Sequence, residues 1–106
     1  DKVVVVLTRE RSYRRQPEKL QKAIDLRYRQ YPAFCETMRE RWKVYNAARE
    51  ELFRLEEEGK VFLFAPENTQ GFSRVERDQQ KIQALWRAGY DQADARLEEL
   101  RAFLGA

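Results

Sequence analysis

The sequence predicts an α/β fold dominated by helices, with two short parallel strands in the order strand, helix, helix, strand, helix. Three observations predict it. Val3 to Leu7 and Val61 to Ala65 are apolar runs rich in β-branched or aromatic residues, too short to cross a membrane and of the right length for buried strands. Residues 8–60, which separate them, form a connection long enough for a parallel crossover with helices on one face. Charged residues are 37% of the chain against 42% hydrophobic, a balance that suits amphipathic helices with solvated outer faces better than a β-sandwich.

The first strand, Val3 to Leu7, has no polar residue to present to water, so it reads as buried on both faces in the middle of a parallel sheet. Only Asp1 and Lys2 precede it, and the expectation is that the chain begins mid-domain. Thr8 to Gln16 is a polar connector. Pro17 and Glu18 suit the first turn of a helix, in which Leu20, Ala23, Ile24 and Tyr28 form one apolar face and which ends by Tyr31, before Pro32. A second helix starts at Pro32 and carries Phe34, Met38, Trp42, Tyr45, Ala48, Leu52 and Leu55 at steps of three and four, the strongest periodicity in the chain. Gly59 is placed to cap it in the left-handed conformation, and Pro66 stops the second strand. Residues 66–77 read as an irregular loop. Asp78 is the expected N-cap of one last helix, whose row Ile82, Trp86, Gly89, Ala93, Leu97, Leu100 and Leu104 puts Gly89 on the packed side.

At 106 residues the chain has room for one domain and one modest core. The net charge of +3 is unevenly placed: residues 1–30 hold nine basic against four acidic groups, a local +5 that leaves −2 for the rest. Arg9, Arg11, Arg14 and Arg15 follow the C-terminal end of a strand, the sheet edge at which α/β proteins place ligands, with Ser12 and Tyr13 as hydroxyl donors. These four arginines are the candidate anion contact. The competing reading pairs them with neighbouring carboxylates.

Most self-contained chemistry is excluded. No histidine is present and Cys35, in a helical pattern, reads as a buried inert thiol, so thiolate or imidazole metal sites have no ligand set and no intramolecular disulfide forms. Ser12 and Ser73 lie outside any G-x-S-x-G turn, and Gly59, Gly71, Gly89 and Gly105 are too scattered for a phosphate or dinucleotide loop. Glu50/Glu51 and Glu98/Glu99 are adjacent on helices and diverge, Glu56-Glu57-Glu58 reads as a solvated helix end, and Asp91 has Arg87 four residues before it as an ion-pair partner. The sequence implies no cofactor and no catalytic residue within the chain.

Six segments in order, Val3-Val-Val-Val-Leu-Thr-Arg9, Arg29-Gln-Tyr-Pro32, Val44-Tyr-Asn46, Val61-Phe-Leu-Phe-Ala-Pro66, Ser73-Arg-Val-Glu-Arg-Asp78 and Leu85-Trp-Arg-Ala-Gly-Tyr-Asp91, resemble the C-terminal region of bacterial patatin-like phospholipase proteins. The resemblance implies a three-layer α/β hydrolase that cleaves acyl esters of lipids with a serine in G-x-S-x-G and an aspartate in a D-G-x turn. Neither motif stands in this chain, and Asp1 followed by Lys2 does not fit the second, so no catalytic residue is carried over. On this reading Val3 to Leu7 is a late strand of the hydrolase sheet, and residues 10–106 are a helical extension with a second strand near 61–65.

The partners then expected are the N-terminal patatin-like portion of the same protein, an anionic lipid surface, and a second copy meeting the chain at Val3 to Leu7 or at an apolar helix face. The alternative is a non-enzymatic interaction module whose basic segment 9–29 binds an anionic membrane or nucleic acid. Nucleic acid is the less favoured partner, because the arginines do not follow one helix face and no nucleic-acid-binding motif is present. Without a signal peptide, transmembrane run or lipidation motif, the expected location is cytoplasmic or peripheral to a membrane, with any targeting signal upstream.

Overall fold

A computed structural model describes residues 1–73 and 75–105. The protein is mixed α/β and predominantly helical, in the order β1 (Val3–Val6), α1 (Gln21–Arg27), α2 (Pro32–Glu57), β2 (Val61–Phe64), α3 (Gln79–Ala95) and α4 (Leu97–Leu104). The strands pair in parallel, as the crossover length predicts, with Val3 opposite Val61 and Val6 opposite Phe64. The residues group into two compact units, one of Asp1–Tyr13 with the chain from Glu56 onward, the other of Arg14–Leu55.

In the first unit the core gathers on β2. Val61, Phe62, Leu63 and Ala65 are buried, Leu63 completely, and the Phe62 ring lies 5.2 Å from Phe64 and 5.6 Å from Phe103 of α4. β1 departs from expectation: rather than being buried on both faces, it leaves Val3 49% and Val6 72% exposed. The sheet has two strands among the described residues, so β1 receives support along one edge only.

The second unit is a helical corner. α1 starts at Gln21 rather than at Pro17, because the Glu18 carboxylate accepts the Leu20 amide at 3.2 Å and residues 19–20 form a turn. Gln21 donates to Asp25 Oδ1 at 2.8 Å and to the Cys35 carbonyl at 3.0 Å, tying α1 to the first turn of α2. Cys35 is buried as expected, its thiol donating to the Tyr28 carbonyl at 3.3 Å.

Local boundary signals hold where the backbone alone determines them. Pro32 opens α2. Gly59 adopts φ 74°, the left-handed conformation that a Cβ disfavours, and its amide donates to Glu56 at 3.0 Å to close the helix. The Asp78 carboxylate accepts the amides of Gln80 at 2.9 Å and Lys81 at 3.3 Å and so caps α3. The loop over 66–77 is irregular in its described residues, while Arg74 lies outside them.

The last helix differs from expectation in two ways. It breaks at Arg96, whose φ of −105° and ψ of 12° end α3 and begin α4. It also turns a different set inward: Gln92, Arg96 and Phe103 are partly buried together with Leu100 of the expected row, whereas Ile82, Trp86, Leu97 and Leu104 of that row are exposed. Gly89 is exposed as well and a Cβ there would meet nothing within 4 Å, so close helix approach is not its role.

Candidate functional site

The four arginines of the candidate anion contact divide between the units. In the first unit, Tyr13 donates its amide to the Glu10 carbonyl at 3.0 Å, forming a turn that places the Arg9 guanidinium 3.9 Å from the Tyr13 ring centroid. Arg9 Nε approaches Glu10 at 3.9 Å. Arg11 turns elsewhere and forms a bidentate fork with Glu56, both contacts at 2.6 Å. Glu56 is thus an ion-pair partner at the end of α2 rather than a solvated acid, and its pKa falls below the ordinary glutamate range chiefly because Arg11 donates to it.

In the second unit Arg14 donates through Nε to Glu50 at 2.9 Å and stacks 5.4 Å from the Phe53 centroid. Arg15 is held by its backbone instead. Asn46 accepts the Arg15 amide at 2.8 Å and returns a donor to the Arg15 carbonyl at 3.0 Å, a reciprocal clamp that leaves the guanidinium 6.0 Å from the Tyr45 ring. An anion arriving at Arg11 or Arg14 would have to displace a carboxylate already seated. Pairing of Arg11 with Glu56 and of Arg14 with Glu50 is the competing reading of these arginines, whereas the sequence names neither the particular partners nor the Asn46 clamp.

Beneath this segment lies a buried polar contact. Glu10 and Thr69 are both buried, and the Glu10 carboxylate accepts the Thr69 hydroxyl and, at 3.2 Å, the Thr69 amide. Hydrogen bonding, that hydroxyl first, holds the Glu10 pKa below its ordinary value of 4.5 against the opposing effect of burial. A carboxylate whose folded pKa is depressed stabilises the fold fully above its unfolded pKa and loses that stabilisation as pH falls through the folded value. Urea midpoints are therefore expected to fall below pH 4.5, and Glu10→Gln is expected to flatten that acid limb while lowering stability at neutral pH by about 1–3 kcal/mol. An acid limb identical in Glu10→Gln and the parent would assign the loss to other carboxylates.

The two edges of the sheet are treated differently. Leu7 donates its amide to the Phe64 carbonyl at 2.8 Å, so by the alternation of a ladder the carbonyls of Leu63 and Ala65 face away from β1. Side chains of the last helices meet both: Arg96 Nη1 donates to Leu63 at 2.5 Å and Gln92 Nε2 to Ala65 at 2.7 Å. The Arg96 guanidinium also lies 4.4 Å from the Phe62 centroid and 5.2 Å from that of Phe64. On β1 the same alternation turns the backbone of Val4 and Val6 outward, and no strand pairs there among the described residues. The outer edge of β2 is closed and that of β1 is open.

Three further acids form surface pairs. Glu98 meets Arg101 at 2.8 Å, Glu99 meets Arg96 at 3.4 Å and Asp91 meets Arg87 at 3.2 Å. Among the described residues no cluster of three His, Cys, Asp or Glu is arranged to hold a metal ion, and no helix is long and apolar enough to cross a membrane. Neither a curated protein nor a solved structure matches the chain. Residues 31–105, from the start of α2 through α4, match the family described as Domain of unknown function (DUF6363), and the chain belongs to that family.

Proposed function

We propose that the chain is the C-terminal accessory region of a patatin-like serine acyl hydrolase acting on lipid esters, with no catalytic residue of its own. The six ordered segments that resemble that group support this reading. The structural observation that carries it is the asymmetry of the sheet. Parallel strands belong to sheets of several strands flanked by helices, and here Arg96 and Gln92 close one side while β1 offers valines and, among the described residues, backbone with no strand beside it on the other. β1 then serves as a late strand of the hydrolase sheet, and the body of the enzyme pairs at Val4 and Val6.

The test is fluorophosphonate labelling, read by intact mass, of the full-length gene product beside the isolated chain. Labelling of the full-length protein alone is expected. Absence of label from both would remove the reading, and label on this chain would overturn its accessory role. The isolated chain is further expected to self-associate through the open edge, and Val6→Lys to shift it toward monomer in sedimentation velocity, because a lysine on an edge strand opposes strand addition. A parent chain that is monomeric at high concentration would argue against an open edge.

A further inference from the structure

We propose that the corner between α1 and α2 is a docking surface for an anionic phospholipid bilayer. The proposal is independent of the hydrolase reading, since it concerns where the chain sits rather than what its parent cleaves. Leu20, Leu26 and Tyr31 are exposed at 66%, 71% and 58%. Tyr28, Tyr31, Pro32 and Phe34 line one shallow open concavity, with the Tyr28 and Phe34 rings edge to face at 5.1 Å.

Cations alternate with these apolar residues along the chain. Lys19, Lys22, Arg27 and Arg29 have no ion-pair partner among the described residues, in contrast to Arg11 on Glu56 and Arg14 on Glu50. The Arg27 guanidinium instead lies 5.2 Å from the Tyr28 centroid. Asp25, the one acid between Lys19 and Phe34, accepts from Gln21 and pairs with Arg39 at 2.8 Å, so it does not neutralise the four. Among the described residues of the basic segment 9–29, positive charge without a carboxylate partner is therefore carried by these four and by Arg15 rather than by residues 9–15 alone.

The combination favours lipid over nucleic acid. Phosphate alone would satisfy the cations and leave Leu20 and Leu26 in water. An anionic bilayer satisfies both: headgroups meet the cations, tyrosine rings sit at headgroup level with their hydroxyls wet, and the leucines reach the acyl boundary.

The experiment is cosedimentation of the full chain with vesicles of phosphatidylcholine mixed with phosphatidylglycerol, and of phosphatidylcholine alone. Recovery with the mixed vesicles only is expected, falling as salt rises. Arg27→Gln and Arg29→Gln are each expected to weaken binding about fivefold, and Leu26→Ser with Tyr31→Ser to weaken it further at low salt, whereas Arg101→Gln on α4 should leave it unchanged. All these positions are exposed, and circular dichroism verifies that the variants keep their helices. Equal recovery with neutral vesicles would overturn the proposal, as would losses as large in Arg101→Gln as in Arg27→Gln. Indifference to Leu26→Ser and Tyr31→Ser, with complete competition by a single-stranded oligonucleotide, would reassign the surface to nucleic acid.

Discussion

Leu63→Ala is expected to cost about 2–5 kcal/mol of folding stability, measured as a fall in urea midpoint at constant slope. Leu63 is the one described large side chain that is fully buried, in a strand whose neighbours Phe62 and Ala65 are buried too. Truncation removes transfer free energy and leaves a void that a close-packed interior fills only in part. Against a total stability of about 5–15 kcal/mol for a domain of this size, such a loss leaves little reserve. Val6→Ala provides the internal contrast: the same strand pair, but a side chain 72% exposed, and an expected change within about 0.5 kcal/mol. Equal effects at the two positions would mean that packing is not centred on β2.

Arg96→Ala is expected to cost a comparable amount, for a different reason. The Leu63 carbonyl faces away from β1 and receives a donor from Arg96 at 2.5 Å, so its removal leaves a buried acceptor unpaired, a penalty of about 1–3 kcal/mol. Loss of the guanidinium over the Phe62 and Phe64 rings adds about 0.5–2 kcal/mol. Arg96→Met separates the two contributions from the packing of the stem, since it keeps the apolar length and deletes the donor. Arg96→Lys restores charge without the planar fork and is expected to recover only part of the loss in thermal unfolding. Full stability in Arg96→Met would show that the carbonyl finds another donor, and the closed edge would no longer distinguish β2 from β1.

Much of this architecture was legible residue by residue. Two apolar runs specified two strands, the long crossover specified that they run parallel, and Pro32, Gly59 and Asp78 marked helix boundaries where they occur. Those signals are local: a ring that fixes φ, a missing Cβ, a carboxylate within reach of free amides. Cys35, expected to be an inert thiol from its place in a helical pattern, is buried, its thiol donating to the Tyr28 carbonyl of the preceding helix end.

The candidate site was legible in composition but not in pairing. The excess of arginine after β1 is evident from the sequence, yet which guanidinium meets Glu56, which meets Glu50, and that Asn46 clamps the Arg15 backbone depend on residues tens of positions apart arriving together. Glu56 illustrates the point, for its neighbours Glu57 and Glu58 made it look like one more solvated acid.

What the sequence by itself determined about this protein is its two strands, its helical crossover and the boundaries at Pro32, Gly59 and Asp78, but not the start of α1 at Gln21 or the break of the last helix at Arg96. Only the tertiary structure decided which row of the last helix faces inward. Periodicity favoured the apolar row through Ile82 and Trp86, but the surface to be covered is a strand edge whose carbonyls need donors, so Gln92 and Arg96 turn toward it. The same physics left β1 open, because hydrogen bonding along a sheet is satisfied by whatever lies beside each strand in space, and no pattern within the strand states which side that is.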